Sequence, residues 1–492
     1  MNTVLRIVAT IPWLTAASLV AEQRVSPVAP LAPLTQHVST HRDGQAPWSI
    51  DFTALDGDRA RLPIGIFDSG IGGLTVLEAI LSLDAFNNAT LQPGADGVPD
   101  FAGESFIYFG DQANMPYGNY AKSGRELFLR ELIVKDAVFL LGRRYHSGAA
   151  IQTDKPPVKA IVIACNTATA FGIEDIRIAL CSWKLDVPVI GVVEAGARAV
   201  SETLPKEGRT GAIAVLATVG TCDSGAYPRA ITRSGGLAGK SIPPFVQQGS
   251  VGLAGALEGN PAFIASTPAK GGSAYLGPGI ANADAPLNPS MLQVYGFDMA
   301  GMLGDAQTPA TWRLNSVSNY ARYDVATLVE NYRERGGGPA ISTVVLGCTH
   351  FPIAKTEIAA AFQRLRDCRD PHGTQGYRTL IAERIDFVNP AEFTARELFR
   401  ELARNRLRAA RKEKTPPRIE AAYLSVPNPD WPGLKLSADG ALDPAYKYGR
   451  EPGSPAAEDT FCVPMNEAGS ALDSLAGMSQ ALPHVWAELR RR

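Results

Sequence analysis

The chain has 492 residues, of which 45% are hydrophobic and 20% charged, and its formal net charge at pH 7 is −2. This length is enough for two or more domains with buried cores. The near-neutral charge argues against nucleic-acid binding, which depends on a basic surface. The six cysteines contain no C-x-x-C pair and the six histidines show no ligand spacing, so the sequence predicts no metal site.

The N-terminal region has two interpretations. Residues 7–21 form a mostly apolar run after Arg6, long enough for the core of a signal peptide and too short to span a bilayer. The run is therefore either an export signal or a cytosolic extension. Residues 22–62, rich in Pro, Ala and Gln, are predicted to be a linker or a wrapping arm. No membrane span is predicted elsewhere.

The first ordered half begins at Pro63 with a strand, a glycine-rich turn and a helix, the opening unit of a parallel α/β domain. Short apolar, β-branched runs predict its buried strands. A long helix is predicted over 123–145. The predicted strands lie at 64–67, 105–109, 160–164 and 187–193.

The second half repeats this pattern, with strands predicted at 211–216 and 342–347 and a further short strand at 385–388. Residues 259–318 are rich in Gly, Pro, Ala and Asn and are predicted to be an irregular insertion. A helix is predicted from Pro390 to about residue 414. The tail from 415 onward contains no long element until 474–491. The predicted domains are an N-terminal extension at 1–62, domain A at 63–195 with 377–414, domain B at 196–376, and a C-terminal extension at 415–492.

Two cysteines lie at the junction between a predicted strand and the helix that follows it. Cys165 follows the strand at 160–164, and Cys348 follows the strand at 342–347. The free N–H groups and positive partial charge of a helix N-terminus lower a thiol pKa from about 8.5 toward neutrality. Because the two thiols belong to different halves of the chain, we predict a site at a domain interface.

Polar residues surround both thiols in the sequence. Asp68 ends a buried strand, where open α/β sheets bind ligands. Asn166, Thr167 and Thr349 are hydrogen-bond donors suited to a carboxylate, and His350 is placed to act as an acid/base partner of Cys348. The Pro-Gly turn at 115–118 is predicted to present a tyrosine hydroxyl. Two facing thiols could remove a proton from one side of a carbon and return one to the other, inverting the stereocentre without a cofactor.

Five motifs together resemble the cofactor-independent aspartate/glutamate racemase family. The resemblance covers about residues 63–258 and 340–405. The motifs are DSGIGG at 68–73, PYG at 116–118, ACNTAT at 164–169, GVVEAGA at 191–197 and GCTHFP at 347–352.

The resemblance implies an isomerase with two pseudosymmetric, flavodoxin-like α/β domains, mainly parallel sheets and an active site at the domain interface. It implies racemisation of glutamate, no metal, no cofactor, frequent homodimers, and cytoplasmic supply of D-glutamate for peptidoglycan. An export signal at residues 1–21 would instead place the protein outside the cytoplasm.

By position, the resemblance assigns two groups of site residues. Cys165 and Cys348 would be the catalytic acid/bases, assisted by Asp68 and His350 respectively, and Glu258 is matched to a family acid near the site. The substrate-binding residues would be Ser69, Tyr117, Gly118, Asn166, Thr167 and Thr349.

Two alternatives remain open at this point. One is an aspartate or broad-specificity amino-acid racemase, or another cysteine-dependent isomerase or lyase of the same fold. The other is a non-catalytic amino-acid binding protein, against which the two thiols argue because binding alone requires none.

Overall fold

The computed structural model of the protein describes residues 31–148, 150–204, 211–264, 275–305, 307–369, 376–409, 415–468 and 478–491. The apolar run at 7–21 lies outside these ranges. Within them, no helix combines the length and the apolar character needed to cross a membrane.

The first sheet has six strands in the order β14-β13-β2-β1-β5-β6, and only β14 runs antiparallel to its neighbour. Apolar clusters cover both of its faces, as expected for a mainly parallel sheet whose central strands are largely apolar. Its strands are β1 (Ile64–Asp68), β2 (Ser105–Gly110), β5 (Ala160–Ile163), β6 (Val189–Gly191), β13 (Arg418–Pro427) and β14 (Thr460–Pro464).

The second sheet has four strands, all parallel, in the order β12-β11-β7-β8. It is also covered on both faces by apolar clusters. Its strands are β7 (Ala212–Thr218), β8 (Phe245–Ser250), β11 (Ile341–Gly347) and β12 (Ile381–Val388). Two mainly parallel α/β units are therefore present, which confirms the predicted fold class.

Helices connect the strands and cover the sheets. The longest are α4, α5 and α11. The two-residue strands β9 (Met302–Leu303) and β10 (Arg313–Leu314) pair within the segment 259–318, which the sequence predicts to be irregular. A second small hairpin joins β3 (Tyr145–Ser147) to β4 (Ala150–Gln152). The helices are α1 (Ala32–Thr40), α2 (Leu74–Leu81), α3 (Gly118–Lys122), α4 (Glu126–Leu141), α5 (Asn166–Trp183), α6 (Val192–Thr203), α7 (Val219–Asp223), α8 (Ala226–Leu237), α9 (Leu253–Leu257), α10 (Leu292–Tyr295), α11 (Val317–Glu334), α12 (Lys355–Asp367), α13 (Pro390–Arg404), α14 (Pro444–Lys447) and α15 (Pro483–Leu489).

Sheet membership differs from the sequence prediction at two places. The strand predicted at 385–388 within domain A spans Ile381–Val388 and pairs with β11 of the second sheet. The C-terminal extension, expected to hold no long element before 474, contributes the ten-residue strand β13 next to β2. The outer limits of the two domains remain a prediction.

A buried ion pair supports the first sheet. Lys159, fully buried just before β5, places Nζ 2.5 Å from Oε2 of Glu104 and donates to the carbonyl of Ala60 at 2.8 Å. The other carboxylate oxygen of Glu104 accepts from the N–H of Ala409 at 2.8 Å. Burial lowers the pKa of Lys159, whereas the charge of Glu104 opposes that shift.

Replacing Lys159 with methionine should lower the free energy of unfolding by about 3–5 kcal/mol, because Glu104 would be left as a buried, unpaired charge. Urea denaturation measures this loss. The double variant Lys159→Met/Glu104→Leu should recover most of it. Arg61→Met, which breaks an exposed ion pair with Asp58, is the control and should leave the denaturation midpoint unchanged. A Lys159→Met protein as stable as the control would refute the structural role of the pair.

Candidate active site

The first half of the site is built by neighbouring strands of the first sheet. Phe67 of β1 pairs with Ile163 of β5, so Asp68 and Cys165 emerge side by side at the carboxyl edge. Both are buried. Cys165 caps α5, where its sulfur accepts the N–H of Ala168 at 3.4 Å and its thiol donates to Oγ of Ser69 at 3.6 Å. Asp68 accepts from the N–H of Gly73 at 2.7 Å.

The charge state of this half differs from the sequence prediction. Burial, followed by the charge of Asp68, raises the pKa of the Cys165 thiol well above its ordinary value, although the N–H of Ala168 opposes the shift. Burial also raises the pKa of Asp68. The expectation of a lowered thiol pKa is therefore wrong for Cys165, because desolvation outweighs the helix N-terminus.

The second half lies at the carboxyl edge of the second sheet. Gly347 of β11 pairs with Ala217 of β7, so Cys348 emerges beside Thr218. The sulfur of Cys348 lies 3.8 Å from Nδ1 of His350, whose Nε2 lies 2.8 Å from Oε1 of Glu258. Glu258 caps the end of α9.

His350 carries the positive charge of this half. Although burial disfavours the imidazolium, the charges of Glu258 and Cys348 raise the pKa of His350 well above its ordinary value. An imidazolium beside a sulfur is the arrangement that stabilises a thiolate. The two thiols therefore have different environments: a carboxyl group accompanies Cys165, and an imidazolium accompanies Cys348.

The two halves are in direct contact. Oγ1 of Thr75, in α2 of the first unit, donates to the carbonyl of Thr349 in the second at 2.8 Å. Gly72 packs so closely on the Cys348 loop that a Cβ at this position would lie 2.2 Å from Cε1 of His350. Only glycine fits there, which explains a glycine within the 68–73 motif by steric need.

The predicted carboxylate donors are anchored to the second unit. Asn166 accepts at Oδ1 from the hydroxyl of Tyr227 at 2.6 Å. Oγ1 of Thr167 lies 3.2 Å from Oγ1 of both Thr218 and Thr221. These hydroxyl and amide groups line the junction of the two sheets, where they could hold polar ends of a small molecule.

Tyr117 does not present its hydroxyl as expected. Its oxygen lies 2.5 Å from Oδ2 of Asp111 and 2.7 Å from Oδ2 of Asp136. A phenol has one proton, so one carboxyl group must retain its own, and burial together with the charge of Asp111 raises the pKa of Asp136 well above its ordinary value. The predicted presentation of the hydroxyl is wrong, because α4 brings Asp136 beneath it. The backbone at Gly118 instead contacts Gly220 of the second unit, with 2.7 Å between Cα of Gly118 and a Cβ built on Gly220.

All the predicted site residues except the Tyr117 side chain thus converge where the two sheets meet. The sequence prediction assigned no role to Thr75, Thr218, Thr221 or Tyr227. Thr218 and Thr221 directly follow the strand predicted at 211–216, so their position at a strand end indicates a place in the site. Tyr227 lies further along the chain, at the start of α8. Thr75 lies inside α2, where nothing in the local sequence indicates a role in the site.

The site is closed in this conformation, because seven of its residues are each less than 10% exposed: Asp68, Cys165, Asn166, Thr167, Cys348, Thr349 and His350.

Comparison with known proteins is consistent with this geometry. Residues 144–260 match the family model described as Asp/Glu/Hydantoin racemase. This segment includes Cys165 and Glu258, whereas Cys348 lies beyond it.

Three curated relatives are glutamate racemases. The chain is 36% identical over 190 residues to that of Thermus thermophilus, covering 38% of this chain and 56% of the relative. It is 33% identical over 186 residues to that of Oceanobacillus iheyensis, covering 37% and 52%. It is 28% identical over 357 residues to that of Corynebacterium diphtheriae, covering 72% and 86%. The alignments to the first two span about half of those relatives' length. With the family match at 144–260, these alignments show that the chain is similar to racemases of the Asp/Glu/Hydantoin racemase family.

Proposed function

We propose that the protein is a cofactor-independent glutamate racemase that interconverts L- and D-glutamate by a two-base mechanism. The observation that supports this most strongly is the pair of buried cysteines at the carboxyl edges of two sheets whose units are in direct contact, each cysteine with its own ionisable partner. The similarity to curated glutamate racemases supports glutamate as the substrate.

In this mechanism one thiolate removes the α-proton and the opposite thiol donates a proton to the other face of the carbon. The sulfur of Cys348 lies 3.8 Å from Nδ1 of His350, which could accept its proton, so Cys348 would begin as the base. Cys165, held as a thiol by burial and by Asp68, would begin as the acid. After one turnover Cys165 is the thiolate and Cys348 the thiol, so the enzyme is ready for the reverse direction. Asp68 beside Cys165 and His350 beside Cys348 can each exchange a proton with the neighbouring cysteine.

The weakly acidic α-proton requires stabilisation of the carbanion and fixed alignment of donor and acceptor. The side chains of Ser69, Asn166, Thr167 and Thr349 and the backbone at Tyr117 and Gly118 would bind the carboxylates and the amine. Closure of the two units excludes water, which strengthens each of these electrostatic contacts.

We further infer a cytoplasmic role in supplying D-glutamate for peptidoglycan, with the enzyme acting as a homodimer. The similarity to glutamate racemases supports this role, because wall precursors are built inside the cell. Reactive thiols are also better preserved in a reducing compartment.

Incubation with L-glutamate in D₂O should place deuterium at the α-carbon, because the returning proton exchanges with solvent. Proton NMR would show loss of the α-proton signal, and chiral chromatography would show D-glutamate. L-Aspartate, assayed in parallel, should exchange far more slowly. Equal rates would indicate a broad-specificity racemase. Absence of exchange by folded, reduced protein would contradict racemisation and favour a binding protein.

A further inference from the structure

Tyr227 is a fully buried tyrosine at the start of α8, and it belongs to neither cysteine loop. Its ring packs between two glycines. A Cβ built on Gly347 would lie 2.9 Å from Cε2 of the ring, and one built on Gly196 would lie 3.2 Å from Cε1. The ring therefore occupies space that Gly347, the residue preceding Cys348, leaves free.

The tyrosine hydroxyl reaches across to the other half of the site. It lies 2.6 Å from Oδ1 of Asn166, the residue that follows Cys165. Burial, together with the nearby charges of Cys348 and Glu194, raises the pKa of Tyr227 well above its ordinary value, so the phenol keeps its proton and donates. One side chain thus packs against the loop of one thiol and hydrogen-bonds to the neighbour of the other.

This hydrogen bond fixes which way the Asn166 amide faces. An asparagine side chain offers one acceptor oxygen and two N–H donors, and these exchange places when the amide flips. If the amide flipped, the buried phenol proton would lose its acceptor, and unsatisfied buried donors are strongly disfavoured. With Oδ1 held by Tyr227, Nδ2 is the free end. Among the described residues, no group accepts a hydrogen bond from Nδ2 of Asn166.

We propose that Tyr227 is a positioning residue that orients the Asn166 amide so that its N–H donors face the substrate carboxylate. The inference rests on the proposed function, because it assigns Asn166 a carboxylate to bind. Tyr227 touches neither the substrate nor the reacting atoms. It acts through Asn166, and because it belongs to the second unit, the amide is held only when the two halves of the site are assembled.

The variant Tyr227→Phe tests this role, because it removes the hydroxyl and retains the ring. We expect the KM for L-glutamate to rise about tenfold while kcat falls less than about threefold, since the loss weakens a binding contact in ground and transition states alike. Tyr332→Phe is the matched control. Its hydroxyl donates to the carbonyl of Pro339 at 2.8 Å, at the far end of β11 from Cys348. The control should lose similar stability and keep the wild-type KM.

A double-mutant cycle with Asn166→Ala distinguishes positioning from a general structural role. If Tyr227 acts through Asn166, adding Tyr227→Phe to Asn166→Ala should leave KM unchanged within about twofold. Independent effects that multiply would overturn the inference, as would a wild-type KM in Tyr227→Phe. A failure of the proposed function is distinguishable, because the wild-type enzyme would then not racemise glutamate in the same assay and both inferences would fall. With an active wild type, an unaffected Tyr227→Phe overturns only the positioning role.

Discussion

Replacing either Cys165 or Cys348 with alanine should lower kcat/KM for racemisation of glutamate by about 10²–10⁴-fold, the range that a positioned acid or base contributes. Each direction of the reaction uses one thiol to remove the proton and the other to return it. Neither residue can therefore be lost without stopping both directions. Circular dichroism followed by chiral assays from L- and D-glutamate measures the effect.

The control for these variants is Cys181→Ala, because Cys181 is an exposed thiol on the far part of α5. It should retain the wild-type rates in both directions. A Cys165→Ala or Cys348→Ala protein that retained wild-type rates would show that the two-base assignment is wrong. Loss of activity in only one direction is thermodynamically excluded for kcat/KM, so a one-sided result would indicate a fault in the assay.

Removing the C-terminal extension by ending the chain at residue 409 should abolish cooperative folding. The extension supplies β13, which pairs with β2 along Arg418–Leu424, and β14 beyond it. It also buries several apolar side chains, each worth about 1.5–3 kcal/mol, and their sum equals or exceeds the typical stability of a domain. These side chains are Ile419, Tyr423, Leu424, Cys462, Val463 and Met465.

Thermal melts and size-exclusion chromatography measure this result, and we expect aggregated protein because β2 would become an open edge. Deletion of residues 436–441 alone, an exposed turn of the same extension, is the control and should leave a folded, active protein. A soluble truncated chain with a wild-type melting temperature would show that the extension is an appendage rather than part of the sheet.

The extension also holds the loop that carries Tyr117 and Gly118. Nζ of Lys447 donates to the carbonyl of Met115 at 2.8 Å. Arg450 hydrogen-bonds to Asn114 and to the hydroxyl of Tyr120. Any partially folded truncation product should therefore show a raised KM for glutamate in addition to its lower stability.

The strands that could be predicted from sequence are those whose pattern is local. β1, β5 and β11 are continuous apolar runs followed by turn residues, so their type and the position of the cysteines after them follow from composition alone. β13 could not be recognised in this way. Its burial alternates irregularly and its register shifts between Ile419 and Ala421, so it is a strand because β2 lies beside it.

The chemical properties of the site could likewise be predicted only where they depend on local sequence. The presence of a thiol at a helix N-terminus is a local property, and it was predicted correctly for Cys165. The direction of its pKa shift depends on how completely the folded chain buries it, which local sequence does not encode. The direction of the Tyr117 hydroxyl likewise depends on Asp136, which reaches it from a separate helix.

The tight packing of Gly72 on His350 and the hydrogen bond from Thr75 to Thr349 have a kinetic consequence. Glutamate cannot reach thiols that are enclosed in this way unless these contacts part, and its enantiomer cannot leave until they part again. Every catalytic cycle of the proposed enzyme therefore includes one opening of the two units for substrate entry and a second opening for product release. Because both contacts join the two units, parting them adds a step to each turnover that does not depend on how fast the thiols exchange protons.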